Sequence, residues 1–173
     1  MPKALAERAG RRWVDIALDV LRAGGCDPLV VVLGAAAADV RAAADLTGAT
    51  IAENPDWPEG IGSSLRAGLA ALGFTDATAA VVLLVDTPGI TPAAVRRVTD
   101  GAGAATLAIA TYAGQYGHPV LLGRDHWTGV AALAKGDTGA RAYLRAHPDA
   151  VLRIPCDDIA TGEDVDFRNP PPP

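Results

Sequence analysis

Cysteines, aromatic side chains and long apolar runs are all scarce in this sequence, and each scarcity removes a class of protein. Only Cys26 and Cys156 are present, far apart in the chain. Two thiols so separated make neither a disulfide framework nor a zinc site, and the expectation is a pair of reduced, partly buried thiols. No apolar run approaches the ~20 residues that span a bilayer, and the N-terminus lacks the form of a signal peptide, so the expected location is cytoplasmic. A basic surplus is missing too. The net charge of −5 gives no electrostatic reason to expect nucleic acid or anionic membrane as a partner. Free nucleotides stay open, since a few local cations or a bound metal can hold them.

What is present is apolar and small. Half of the residues are apolar while aromatics make up 5%, a composition that suits closely packed helices and sheet. At 173 residues the chain is long enough for one domain with a proper core. We read residues 1–167 as that domain and 168–173 as a Pro-rich disordered tail.

Periodicity then places the elements. Leu5, Trp13, Ile16, Ala17, Val20 and Leu21 share one helical face, which predicts a helix over 4–23 ended by Gly24-Gly25. LVVVLG (29–34) and AAVVLLVD (79–86) are continuous apolar runs, the mark of strands buried on both faces. A helix follows Ala35, then a short strand near Thr50–Ala52. Ser63 to Leu72 reads as a helix with serines capping its start, and Thr91-Pro92 opens another with a capping hydroxyl and a proline. LAIATY, PVLLG and VLRIP are further strands, with helices near 127–133 and 138–146. Strands that alternate with helices argue for a mostly parallel sheet covered on both faces.

In such folds ligands sit beyond the carboxyl ends of the strands. That directs attention to DTPG (86–89), where Asp86 leaves a hydrophobic strand and could hold Mg²⁺ on a nucleotide phosphate. The same four letters occur in GTPases, but no Gly-x-x-x-x-Gly-Lys-Ser/Thr loop accompanies them here, so that class falls. NPDWPEGIGSSLRAGL (54–69) offers Gly60 and Gly62 for close backbone approach and helix-start N–H groups at Ser63-Ser64. His118 stands between Gly117 and Pro119 at a strand entrance, expected to be fixed and exposed. Asp137 in KGDTGAR (135–141) suits a helix cap. In GEDVDF (162–167) alternation puts Asp164 and Asp166 on one face of an extended segment. Asp86 and Asp166 could therefore share one hard cation.

Taken in order, PKAL, GCDPLVVVLGA, NPDWPEGIGSSLRAGL, VVLLVDTPGITPAAV, YAGQYGHPVLLGRDHW, GDTGAR and the terminal DVD cover nearly everything from Pro2 to Asp166. This ordered set resembles the MobA-like nucleotidyltransferases of molybdenum cofactor biosynthesis, most closely their molybdopterin cytidylyltransferase branch. The resemblance implies an α/β, Rossmann-like (GT-A-like) three-layer sandwich. It implies transfer of a nucleoside monophosphate, CMP ahead of GMP, from an NTP to a phosphate-bearing acceptor such as molybdopterin, with release of pyrophosphate. By the same resemblance Asp86 and Asp166 hold Mg²⁺, while Lys3 neutralises phosphate and, with Asp86, counts as catalytic. Gly60, Ser63 and Ser64 line the base pocket and, with Lys3 on the phosphate, make up the nucleotide-binding set, while His118 faces the acceptor.

Family members carry a strand and a Gly-rich loop ahead of the Pro-Lys at which this sequence opens. The expectation is therefore a sheet lacking its first strand, with two interior strands left without a neighbour and an edge that permits a homodimer. The alternatives are a catalytically inactive nucleotide- or partner-binding relative, an N-terminally shortened piece of the enzyme, or a sugar-phosphate nucleotidyltransferase on the same fold.

Overall fold

The computed structural model describes residues 3–165. Asp166 and the Pro-rich segment 168–173 lie outside the described residues, as does Pro2.

The elements are β1 (Glu7–Arg8), β2 (Arg11–Arg12), α1 (Trp13–Ala23), β3 (Leu29–Leu33), α2 (Ala37–Ala43), β4 (Ala49–Glu53) and α3 (Ile61–Gly73). Then follow β5 (Ala79–Val82), α4 (Pro92–Thr99), β6 (Leu107–Tyr112), β7 (Gln115–Gly123), α5 (Trp127–Leu133), α6 (Arg141–Ala146) and β8 (Val151–Pro155). No helix among the described residues is long and apolar enough to cross a membrane.

One expected helix is shorter than its periodicity suggested. Residues 4–12 form a single helical turn and a small β1–β2 hairpin, and α1 starts only at Trp13. The reason is local. Ala9 and Gly10 both take positive φ, a two-residue turn that matches the twist of antiparallel strands and cannot continue a helix. α4 begins as its sequence predicts, with the Thr91 hydroxyl accepting from the Ala94 N–H and Pro92 at the first helical position.

The strands form β3–β4, parallel, and a four-stranded sheet in the order β5–β7–β6–β8. Within the larger sheet three strands run one way and β7 alone runs against them. The reversal is set by the tight connection at Ala113-Gly114, again with positive φ at both residues, which can only join antiparallel neighbours.

Alternation along β6 and β7 sorts the core into layers. Leu107, Ile109, Val120 and Leu122 face α3, α5 and α6, with Leu69, Trp127, Val130 and Leu144 packed on them. Ala108, Ala110 and Leu121 face the opposite way, against Ala94, Val95 and Val98 of α4 and Val20 and Leu21 of α1. A third cluster joins Val14 and Leu18 of α1, Leu29 and Leu33 of β3, and Val40 of α2. The result is the three-layer α/β sandwich. Its middle layer is interrupted, because β3 and β5 are not hydrogen-bonded to each other and a cavity of about 920 Å³ separates them. Neither cysteine is in a disulfide, and burial pushes both thiols up.

Candidate functional site

Asp86 lies in the loop that carries the chain from β5 to α4, at the carboxyl end of the sheet. Lys3 Nζ donates to its Oδ2 at 2.8 Å, so two residues 83 positions apart in sequence meet in one ion pair. The Asp86 side chain retains 16% exposure and that of Lys3 45%. The pair is thus reachable by a ligand.

The acidic tail reaches the same place. Thr91 Oγ1 donates to the Ile159 carbonyl at 2.9 Å, the Thr161 N–H to the Gly89 carbonyl at 3.1 Å, and the Val165 N–H to the Asp86 carbonyl at 2.9 Å. Three bonds zip residues 159–165 along the DTPG turn. This closeness also explains Gly89, since a Cβ there would collide with Thr161 Oγ1. Asp164, one residue before Val165, lines the central cavity. Asp166 falls outside the described residues.

His118 sits on β7, half-buried rather than exposed, and lines the cavity as well. The Tyr112 hydroxyl donates to its carbonyl at 2.8 Å and fixes the backbone there. Burial pushes the imidazole down from its ordinary 6.5 to about 4; Asp86 opposes the shift and Arg141 adds to it. The ring is therefore neutral near pH 7 and able to accept a hydrogen bond. Arg141, at the start of α6, is exposed and lines the same cavity. The GDTGAR motif contained it, but only the Asp in that motif suggested a role from sequence. Asp137 does not cap α6, whose N-cap position is held by Ala140.

The 60–64 segment behaves differently from its expectation. Gly60 has φ +105°, and a Cβ on it would stand 2.6 Å from Asp137 Oδ1 and from the Gly136 backbone. Gly62 is as tight against Ala134. These glycines are required by the approach of two loops to each other. Ser63 is buried, its Oγ donating to the Gly60 carbonyl at 2.8 Å and accepting from Asn54 Nδ2 at 2.8 Å. Asn54 Nδ2 also donates to Ser64 Oγ at 3.0 Å. Neither serine caps α3, whose N-cap Gly60 has no side chain to bond. Ser64 does line the cavity, while Ser63 is spent on the scaffold. Asn54, 4% exposed, is the organising residue that sequence reasoning missed; its place after a short strand carried no signal of that role.

Ser64, His118, Arg141 and Asp164 thus line one cavity, and the Lys3–Asp86 pair stands beside it, with Asp86 next to the lining residue Val85 and within electrostatic reach of His118. Among the described residues no three His, Cys, Asp or Glu side chains cluster as a complete metal cage. A hard cation of the magnesium type is instead commonly held by one or two carboxylates together with substrate phosphates. Asp86, with its partly exposed carboxylate, and Asp164 on the segment zipped to it fit that smaller donor set.

The chain matches the MobA-like NTP transferase domain over residues 1–151. It is 38% identical over 172 residues to nicotine blue oxidoreductase of Paenarthrobacter nicotinovorans, a match covering 95% of this chain and 83% of that protein. Among solved structures, Rv0371c from Mycobacterium tuberculosis H37Rv in complex with manganese superposes with a TM-score of 0.80 at 32% identity. That match covers 95% of this chain and 86% of the other. The 2-C-methyl-D-erythritol 4-phosphate cytidylyltransferase of Thermus thermophilus shares the fold, with a TM-score of 0.65 at 17% identity over 96% of this chain and 88% of the other.

Proposed function

Because the chain belongs to the MobA-like NTP transferase family, we propose that it moves a nucleoside monophosphate from an NTP to a phosphate-bearing acceptor. An acceptor phosphate oxygen attacks the α-phosphorus, the bond to the β-phosphate oxygen breaks, and pyrophosphate leaves. CTP as donor and a molybdopterin-like acceptor are the specific form of the proposal, with the cytoplasm as its setting. The observation that carries it is the Lys3–Asp86 pair at the carboxyl end of the sheet, with Asp86 in electrostatic reach of His118, which lines a cavity together with Arg141.

Transfer of this kind needs little covalent help; positioning and charge neutralisation supply most of the acceleration. Lys3 neutralises phosphate charge, its ammonium released from Asp86 when phosphate arrives. Arg141 offers a second cation for the acceptor phosphate, its planar fork suited to two oxygens at once. His118, neutral, accepts a hydrogen bond from the acceptor without adding charge. Ser64 Oγ presents a polar group on the α3 side of the cavity. A divalent cation on Asp86, with Asp164 or Asp166 beside it, would supply further neutralisation of the phosphoryl oxygens.

Pyrophosphate release from CTP and GTP, with molybdopterin as acceptor and Mg²⁺ or Mn²⁺ added, tests the proposal. CTP-dependent turnover that falls at least ~100-fold in Asp86→Ala is the expected result. Absence of turnover with either nucleotide, or turnover untouched by Asp86→Ala, overturns it. A chain that binds CTP and turns nothing over is the inactive relative. The 38% identical relative is an oxidoreductase, which favours one further reading, electron transfer on the same scaffold. Reduction of nicotine blue by an added electron donor, in place of pyrophosphate release, would select it.

A further inference from the structure

The larger sheet ends in a pair of side chains that its core does not use. Tyr116 on β7 lies directly opposite Thr111 of β6, and Arg153 on β8 lies beside Ile109 of β6. Partners paired across strands share a face of the sheet. Tyr116 and Arg153 therefore stand on the face that carries Leu107, Ile109 and Val120. They flank β6 from opposite sides and meet over it, the Arg153 guanidinium 5.2 Å from the centroid of the Tyr116 ring. That face is buried as far as Ile109 and Val120. Past them it opens, with Tyr116 39% exposed and Arg153 exposed.

Two tyrosines of this hairpin behave differently. The Tyr112 ring packs where a Cβ on Gly117 or Gly162 would strike it, and its hydroxyl donates to the His118 carbonyl. That ring ties the 159–165 segment to β7. Tyr116 makes no such bond among the described residues, and it lines the cavity together with Gly117 and His118. The β6–β7 ladder slips here, two residues of β6 matching four of β7 between the Ile109 and Thr111 pairs. An irregularity of this kind re-aims the side chains around it. Charge points the same way. Arg11, Arg22, Arg41, Arg66 and Arg97 all have carboxylate partners. Arg141, which lines the cavity, and Arg153 have none among the described residues. Beside His118 the molecule thus offers an open aromatic ring and two guanidinium groups that no carboxylate neutralises.

We propose that Tyr116 and Arg153 form the subsite for the body of the acceptor, and that they select a planar heteroaromatic ring with oxygen or nitrogen acceptors on its rim. The subsite rests on the transfer reading above and gives that acceptor a chemical class. The ligand ring stacks on Tyr116 in the offset arrangement that aromatic pairs favour. Arg153 donates to the rim, because a guanidinium can lie on a ring and keep its in-plane N–H groups for acceptors. The phosphate end points the other way, past His118 towards Arg141 and the Lys3–Asp86 pair. That direction follows from the order of the residues, since Asp86 is within electrostatic reach of His118 and Tyr116 is two positions farther along β7. A saturated sugar ring has no π system to stack, so the subsite ranks a sugar phosphate behind a ring of this class.

The probe is pterin-6-carboxylate, followed by its own fluorescence and titrated against the full 173-residue chain without nucleotide. Cyclohexanecarboxylate, the same carboxylate on a saturated ring, serves as competitor. Saturable binding of the pterin is expected, about 5-fold or more tighter than that of the competitor. Tyr116→Leu and Arg153→Gln should each weaken it about 5-fold, while Tyr116→Phe, which keeps the ring, should stay within about 2-fold of the parent. In pyrophosphate release, Tyr116→Leu should raise the acceptor KM about 5-fold more than it lowers kcat. Should Tyr116→Leu lose its far-ultraviolet spectrum, Arg153→Gln and the competitor decide. Absence of saturable binding, equal affinity for cyclohexanecarboxylate, or pterin binding untouched by Tyr116→Leu and Arg153→Gln overturns the proposal. Displacement of the pterin by CTP assigns the ring subsite to the nucleotide base and overturns it too. The two readings fail separately. Pterin binding that depends on Tyr116 without any pyrophosphate release keeps the subsite and removes the transfer. Release with an acceptor KM that Tyr116→Leu leaves in place keeps the transfer and removes the subsite.

Discussion

The two halves of the sheet carry the same kind of residue and end in different environments. β6 and the second half of β7 are buried almost throughout, with Leu107, Leu121 and Leu122 at 1% exposure or less. In β3 the three central valines, and in β5 three of four residues, stay half-exposed although their sequences are at least as apolar. Hydrophobicity selects which segments become strands. Depth of burial follows from how many neighbours a strand has, and among the described residues β3 and β5 each have one.

Core truncations should sharpen that contrast. Leu122→Ala in the closed half should cost about 3–4 kcal/mol in urea unfolding, the range for a fully buried leucine. Val31→Ala beside the cavity should cost about 1 kcal/mol, because its side chain already meets solvent. Equal costs would mean that the cavity is closed in solution.

The pH dependence follows from His118. Its folded pKa is pushed down to about 4 from 6.5, so the unfolded chain binds the extra proton first as pH falls. Stability should therefore decrease as pH drops from about 6.5 towards 4, with no further contribution from this group below that. His118→Asn should flatten that part of the curve measured by denaturant midpoints. An unchanged profile would show that the ring is solvated and that burial does not hold its proton affinity down.

Thr91→Ala removes both the α4 cap and the bond to the Ile159 carbonyl, and should cost about 1 kcal/mol. The smallest effect on stability is expected at the Lys3–Asp86 pair. Lys3→Ala should change the unfolding free energy by less than about 1 kcal/mol, since the pair it breaks is substantially exposed. Its effect on pyrophosphate release should be far larger. A stability loss as large as the activity loss would make Lys3 a structural residue.

Much of this was legible one segment at a time. The strands near 29–34, 107–112 and 151–155 and the helices at 92–99 and 127–133 follow from apolar runs and capping residues that act within a few positions. The 4–12 stretch was not legible, because two residues of positive φ outweighed a helical periodicity spread over about twenty positions. The serines at 63 and 64 looked like caps, and Gly60 like a ligand approach, because local rules could not know that Asn54 and the 136–137 loop would arrive there. Asp86 and Lys3 could be singled out from sequence, the one by its place after an apolar strand and the other through the resemblance.

What the sequence determined by itself was the set of elements, their alternation and the small apolar side chains that let three layers pack closely. These depend on periodicity and backbone preference, which act over one or two turns of chain. Tertiary structure alone decided that Lys3 meets Asp86, that His118 holds its proton more weakly, and that a cavity separates β3 from β5. Each of these depends on distances between segments remote in sequence, where electrostatics and hydrogen-bond demand are set by what folding brings near.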